Sequence, residues 1–267
     1  MTVAPSAIAA LDTLELHLRC LYAHDARGRI LRTREPGGGP APRFHLGRTR
    51  LGNLWRFRAD LADSDVRALA RLAGREEPLV GGAVAPGARV SRPPPPERME
   101  PFRRALRERA AIRIEWSGPA YAFPDIAAVV AASERHAAAG PPVIAVDRTN
   151  ESVLEQHFPD EIAELELRQP CFAVVDAGSA VSLCYAARPL ESPSGNFESC
   201  AASEAGVVTV EGHRGRGCAP RVVAAWAAAV AARGGLPLYS TSWKNRASRA
   251  VAQKLGLVWY AEDVHLT

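Results

Sequence analysis

The run Val207-Val208-Thr209-Val210 passes into Glu211-Gly212-His213-Arg214-Gly215-Arg216-Gly217 and then into an alanine-rich stretch opening at Cys218-Ala219. Strand, two-glycine turn and helix, in that order, gather free backbone N–H groups at a helix N-terminus, where a diphosphate can sit. Glycine at 215 and 217 permits a close backbone approach that a side chain would obstruct. Arg214 and Arg216 add positive charge beside it. The pattern is not a P-loop, because no Gly-Lys-Ser/Thr follows, and Gly212-x-x-Gly215-x-Gly217 has the wrong glycine spacing for a dinucleotide fingerprint. A basic turn that simply caps a helix remains the plain alternative.

The surrounding pattern supplies context. Residues 218–233 read as one helix, with Val222, Trp226 and Val230 on a single stripe and Pro220 confined to the first turn. Gly234-Gly235 ends it, and Leu238 to Ser242 reads as a strand. Asn245 is placed to cap a second helix whose face carries Ala247, Val251 and Leu255, closed by Lys254 and Gly256. Residues 257–260 read as a final strand. Upstream, 172–176 and 180–187 read as a hairpin beside the strand 204–210, residues 150–168 as a helix in two pieces broken at Pro159, and 189–203 as a loop.

The spacing Arg214-x-x-Gly217-x-Ala219, followed by Asn245-x-x-Ser248 and Lys254-Leu-Gly256-Leu257, resembles the two signatures of the GNAT superfamily of N-acetyltransferases. The resemblance covers about residues 141–267 and is strongest from 204 onward. It implies an α+β fold, a GNAT-like mixed and mostly antiparallel sheet with flanking helices. It also implies acetyl-CoA as co-substrate, no metal, and direct attack by the amine of a small molecule. By the same resemblance the backbone of Val208, Thr209 and Val210 holds the pantetheine arm. Arg214, Gly215, Arg216, Gly217, Cys218 and Ala219 surround the diphosphate, and Asn245 and Ser248 face the pantetheine. One position departs from the family: the tyrosine expected to protonate the leaving thiolate is Ala252. Tyr260 is taken as its replacement, with Tyr239, Ser240 and Ser242 as other hydroxyls. Glu204 is the first choice of base and Glu211 the second, each working through a water; a surface glutamate at a strand end is the competing reading of both.

Composition bounds the rest. At 267 residues the chain can bury one large or two modest cores. Five cysteines without Cys-x-x-Cys spacing favour reduced thiols over a disulfide framework or a zinc site. Cys218, at a helix N-terminus, is expected to have a lowered pKa, although its place in the loop gives it no catalytic role, and His213 is expected to be structural. Absence of a long apolar run and of a basic leader leads to the expectation of a cytoplasmic protein without a membrane segment. The net charge of +4 is uneven. Residues 1–110 carry 20 Arg against 12 acidic residues, +8, and the remainder 13 basic against 17 acidic, −4. This basic half is expected to be a solvated surface rather than a nucleic-acid site.

Three parts are expected: an N-terminal α+β domain over 1–90, a proline-rich linker and helix over 91–110, and the GNAT-like domain over 111–267. A non-catalytic acyl-CoA sensor and an interaction protein using the basic N-terminal half remain the competing functions, and a homodimer is left open.

Overall fold

The computed structural model describes residues 9–81, 84–135, 140–188 and 200–267. Its backbone is one nine-stranded sheet with a small hairpin at one side. The N-terminal helix α1 (Ala9–Leu21) leads into the hairpin β1 (Tyr22–His24) and β2 (Ile30–Thr33). β3 (Phe44–Arg48) and β4 (Asn53–Phe57) follow, then α2 (Asp63–Ala73), α3 (Met99–Arg107), β5 (Glu115–Ala122), α4 (Ile126–Arg135) and β6 (Val143–Ala145). A short 3-10 turn over Glu151–Leu154 precedes α5 (Pro159–Ile162), β7 (Cys171–Asp176), β8 (Ser179–Ala186) and β9 (Ala202–Thr209). The chain closes with α6 (Cys218–Ala232), β10 (Leu236–Ser240), α7 (Arg246–Lys254) and β11 (Val258–Leu266).

The strand order is β4-β3-β11-β5-β10-β9-β8-β7-β6. Every neighbouring pair is antiparallel except β9 and β10, which run parallel. This is the mixed, mostly antiparallel α+β sheet expected. Alternation along the strands separates two faces. Tyr239 and Trp259 pack with Val222, Trp226 and Val230 of α6 and Val129 of α4 on one face, and Leu238 and Ala261 pack with Leu14 and Cys20 of α1 on the other. A further cluster joins Phe44 and Leu46 of β3 and Val264 and Leu266 of β11 to α2 and α3 through Leu69, Phe102 and Leu106.

Several local expectations change. β11 runs to Leu266 rather than stopping at 260, because its outer half pairs with both β5 and β3. That pairing carries the N-terminal strands into the same sheet as the C-terminal ones. Between residues 112 and 122 the chain forms one long strand, β5, taken up by β11 and β10 on either side. At the start of α2 Ala62 is the cap residue, and Asp63 in the first turn pairs with Arg29. The proline-rich stretch lies against the rest of the chain, where Arg48 holds the Pro94 carbonyl at 2.9 Å and Arg249 that of Val90 at 2.7 Å. Most of the loop expected over 189–203 lies outside the described residues.

Candidate active site

β9 and β10 are hydrogen-bonded only where Ala202–Glu204 faces Leu236–Leu238. Beyond Glu204 the two strands part, and a cleft of about 610 Å³ opens between them. Its walls include Ala205, Val207, Val208 and Thr209 from β9, Tyr239 and Ser240 from β10, and Asn245, Ala247, Ser248, Val251 and Lys254 from around α7. Arg214, Gly215, Gly217, Cys218 and Ala219 close its outer end. Two parting parallel strands leave N–H and C=O groups on facing edges, a place where an extended amide chain can pair as a strand would.

The outer end is made chiefly of backbone. Gly215 and Gly217 both take left-handed φ, 77° and 81°, and Gly217 is the residue from which α6 starts. An L side chain is disfavoured in that conformation, so the turn itself, apart from any ligand, calls for glycine. The first turn of α6 therefore presents N–H groups to the cleft. Arg214, Lys254 and His213 are the basic side chains in the lining, and the described lining residues include no carboxylate. The Arg214 side chain is tied to the strand end by a 3.2 Å bond to the Thr209 carbonyl, and His213 is paired to Asp176 at 3.2 Å.

The expected ligand-facing residues divide accordingly. Val208, Thr209, Arg214, Gly215, Gly217, Cys218, Ala219, Asn245 and Ser248 line the cleft, whereas Val210 and the exposed Arg216 are not among its lining residues. The Asn245 side chain caps α7, accepting from the Ser248 N–H at 3.0 Å. The lowered pKa expected of Cys218 is reversed. The thiol is buried, and desolvation pushes it up against the opposing charges of Arg221 and Arg216.

Ala252, at the position of the expected tyrosine, is fully buried among Val222, Tyr239 and Leu255, in the core and not in the cleft. The cleft nevertheless has a tyrosine. The Tyr239 hydroxyl meets the Ser248 hydroxyl at 2.6 Å, and burial pushes its pKa up. Tyr260 lies elsewhere. It is buried behind the N-terminal helix, with its hydroxyl 2.8 Å from His17 Nδ1. Glu211 is exposed in the 3-10 turn Glu211–His213, beside the glycine turn at the outer end of the cleft.

Glu204 stands at the point where the strands part, on the α1 face. It accepts a hydrogen bond from Ser240, whose side chain lines the cleft. Behind it lies a buried charged array. His17 Nε2 is 3.5 Å from Glu204, His17 Nδ1 is 3.6 Å from Asp263, and His45 Nε2 is 3.4 Å from the other oxygen of Asp263. Burial alone would push Glu204 up, but the contact and charge of His17, the charge of Arg188 and the Ser240 hydrogen bond together hold its pKa at about 2. Burial likewise opposes the charged form of His17, yet Glu204 and Asp263 outweigh it and raise the imidazole above 6.5. His17 and Asp263 escaped the sequence reading. The one available signal was that His17 shares the helical face of Leu14, Leu18 and Leu21, a polar side chain in an apolar stripe.

Comparison with known proteins finds a match over one segment. Residues 201–265 match the model of the family described as FR47-like protein, which is GNAT-related. No curated protein matches the sequence. Among solved structures, a GNAT-family protein from Novosphingobium aromaticivorans DSM 12444 is 18% identical with a TM-score of 0.39, covering 58% of this chain and just under two thirds, 65%, of its own. A GCN5-related N-acetyltransferase-like protein from Streptococcus suis 89/1591 is 15% identical over 85% of each chain, with a TM-score of 0.45. A GNAT-family acetyltransferase from Colwellia psychrerythraea is 9% identical over 98% of each, with a TM-score of 0.42.

Proposed function

We propose, from a C-terminal segment that is GNAT-related, that the protein is an acyl-CoA-dependent N-acyltransferase moving an acetyl group from acetyl-CoA to the amine of a small molecule. The observation that carries this reading is the cleft between β9 and β10, which ends on the glycine turn and first helical turn of α6. Its dimensions and chemistry fit the co-substrate: a groove with free strand edges for an amide-bearing arm, then N–H groups, Arg214 and Lys254 for phosphates. Among the described residues no group of His, Cys, Asp and Glu is arranged to hold a metal ion, and no helix is long and apolar enough to cross a membrane.

Acetyl-CoA, when bound, supplies an activated thioester. The chain's part is to orient it and the amine, stabilise developing charge and manage protons. The β9 backbone beside Ala205 to Thr209 is the source of N–H donors for the pantetheine and the thioester oxygen. The amides of residues 214–219 bind the diphosphate. Glu204, ionised throughout the neutral range, makes a weak base; with Ser240 it attracts and orients the incoming ammonium, which then loses its proton to water. Tyr239 and Ser248 take the place of the absent family tyrosine beside the departing thiolate. Tyr260 and Glu211, on this reading, do not touch the reacting atoms.

The test is calorimetric titration of the protein with acetyl-CoA, run beside a free-thiol assay over a panel of primary amines. Micromolar binding with amine-dependent thiol release is the expected result. Binding without release across the panel makes the protein an acyl-CoA sensor, and absence of binding removes the co-substrate assignment altogether.

A further inference from the structure

Two of the five cysteines face each other across the joint between the N-terminal helix and the cofactor strand. Cys20 lies in the last turn of α1, and Cys200 stands two residues before the first residue of β9. The Cys200 sulfur lies 3.9 Å from the Leu16 carbonyl, and Leu16 is the residue one helical turn ahead of Cys20 on the same face of α1. Both thiols pack in the cluster built from Leu14, Ala202 and Leu238. Cys20 is buried, while Cys200 is half-buried and so open to a small solute.

Their surroundings differ in sign. The Cys20 contact acts most strongly on Cys200, and the Ala202 backbone and Arg34 add to it; together they outweigh burial and bring the Cys200 thiol down to about 6. Cys20 is pushed up by the same contact and by burial. Cys171, Cys184 and Cys218 are all raised by desolvation. One half-exposed thiolate beside one protonated thiol is the arrangement in which an attacking and a resolving cysteine work.

We infer that Cys200 and Cys20 form a peroxide-sensitive thiol pair that closes to a disulfide joining α1 to the start of β9. The Cys200 thiolate attacks a peroxide oxygen, the O–O bond breaks, and the second oxygen leaves as hydroxide, which takes up a proton to become water. Cys200 is then a sulfenic acid. The Cys20 sulfur attacks it, an S–S bond forms, and the sulfenic oxygen leaves as a second water. In sum, two thiols are oxidised by two electrons and one hydrogen peroxide is reduced to two waters. The bond would tether α1, which supplies His17, to the strand that supplies Glu204 four residues on. This inference does not depend on the acyltransferase reading.

The reduced full-length protein is treated with stoichiometric hydrogen peroxide at pH 7.5, unfolded, alkylated and weighed intact. The expected product has two of its five thiols blocked from alkylation and is about 2 Da lighter before labelling. Peptide mapping should find Cys20 joined to Cys200, and dithiothreitol should restore five labels. Cys200→Ser should leave all thiols free at this dose. Cys20→Ser should stop at a Cys200 sulfenic acid that dimedone traps. The oxidation rate of the unmodified chain should rise with pH and reach half its plateau near pH 6. Five free thiols after treatment, a crosslink between other cysteines, or Cys200 driven to sulfinic acid with Cys20 still free would each overturn the proposal. Acetyl-CoA titration of the reduced protein, run separately, reports on the function without bearing on the thiol pair.

Discussion

The two ends of the cleft are built in opposite ways. The outer end is local and made of backbone: residues 209–219 supply the strand end, both glycines and the first turn of α6. It is largely exposed and carries basic side chains, and no carboxylate is among the described residues that line it. The inner end is made of side chains that meet from β9, β10, β11, β3 and α1, and it is buried and charged. Backbone N–H groups at a helix start are fixed by local conformation, so short sequence spacing suffices to specify them. A buried ion array depends on which strands become neighbours, and no local spacing records that. The two ends should accordingly fail differently when altered.

Gly217→Glu should produce the largest loss. A carboxylate at that residue would face the diphosphate, and two charges about 4 Å apart in partly screened surroundings repel by about 4 kcal/mol. Affinity for acetyl-CoA should fall on the order of a thousandfold in calorimetry, with the circular dichroism spectrum retained. Gly217→Ala separates strain from charge: it carries the left-handed penalty of about 1–2 kcal/mol without the carboxylate. Equal affinity in Gly217→Glu and the parent protein would end the assignment of the outer end.

Glu204→Gln tests the inner end and should give the mirror image. Turnover should drop by about a hundredfold as the amine loses its orienting partner, while acetyl-CoA affinity stays within about twofold, because the proposed diphosphate contacts lie at the other end of the cleft. A parallel loss of affinity would mean that the two ends are one site energetically, and the contrast drawn above would collapse.

This contrast also explains what could be read in advance. The order of strands and helices from 171 onward, the Asn245 cap and the glycine turn were all legible, because each is set by periodicity and end signals within a few residues. The β1–β2 and β3–β4 hairpins are likewise set by local turn signals. The entry of β3 into the main sheet was not, since it depends on the outer half of β11, where Glu262 and Asp263 interrupt the apolar pattern that marks a strand. These residues are tolerated because Glu262 is held by Arg48 at 2.8 Å and by Trp243 at 2.8 Å, and Asp263 by His45 and His17. The choice of Tyr260 as the hydroxyl donor fell on a tyrosine of the same stretch, whose face could not be assigned without that pairing.

Tyr239→Phe sharpens the boundary between the two ends, because this side chain sits midway, between β10 and α7. Removing its hydroxyl should lower turnover about tenfold. That is less than general acid catalysis usually contributes, since a thiolate leaves readily and the Ser248 hydroxyl remains. Tyr260→Phe should leave acetyl-CoA affinity untouched, as its hydroxyl bonds to His17 rather than lining the cleft. A larger turnover defect from Tyr260→Phe than from Tyr239→Phe, measured by thiol release, would exchange their roles.

The smallest effect expected is on the pH dependence of stability, and it isolates the inner end without any ligand. Glu204 has a folded pKa of about 2 against an ordinary 4.5. It therefore contributes stability that is fully present above 4.5 and is lost as the pH falls toward 2. His17 has the opposite sign: raised in the folded chain, it contributes stability that is full below 6.5 and is lost as the pH rises through its raised value. The two contributions come from one ion pair, so the melting temperature of the parent protein should be highest between about 4.5 and 6.5 and decline on both sides. In Glu204→Gln the acid decline should shrink to what Asp263, itself held low by His45 and His17, and the remaining lowered carboxylates supply, and the alkaline decline should shrink to what Asp263 alone supports, since Asp263 still faces His17. The outer end has no such buried pair, so Gly217→Ala should shift the melting curve downward by the same amount at every pH. If Glu204→Gln instead shifts the curve uniformly and leaves both limbs undiminished, His17 is not paired with Glu204 in solution and the charged array does not set the inner end apart from the outer one.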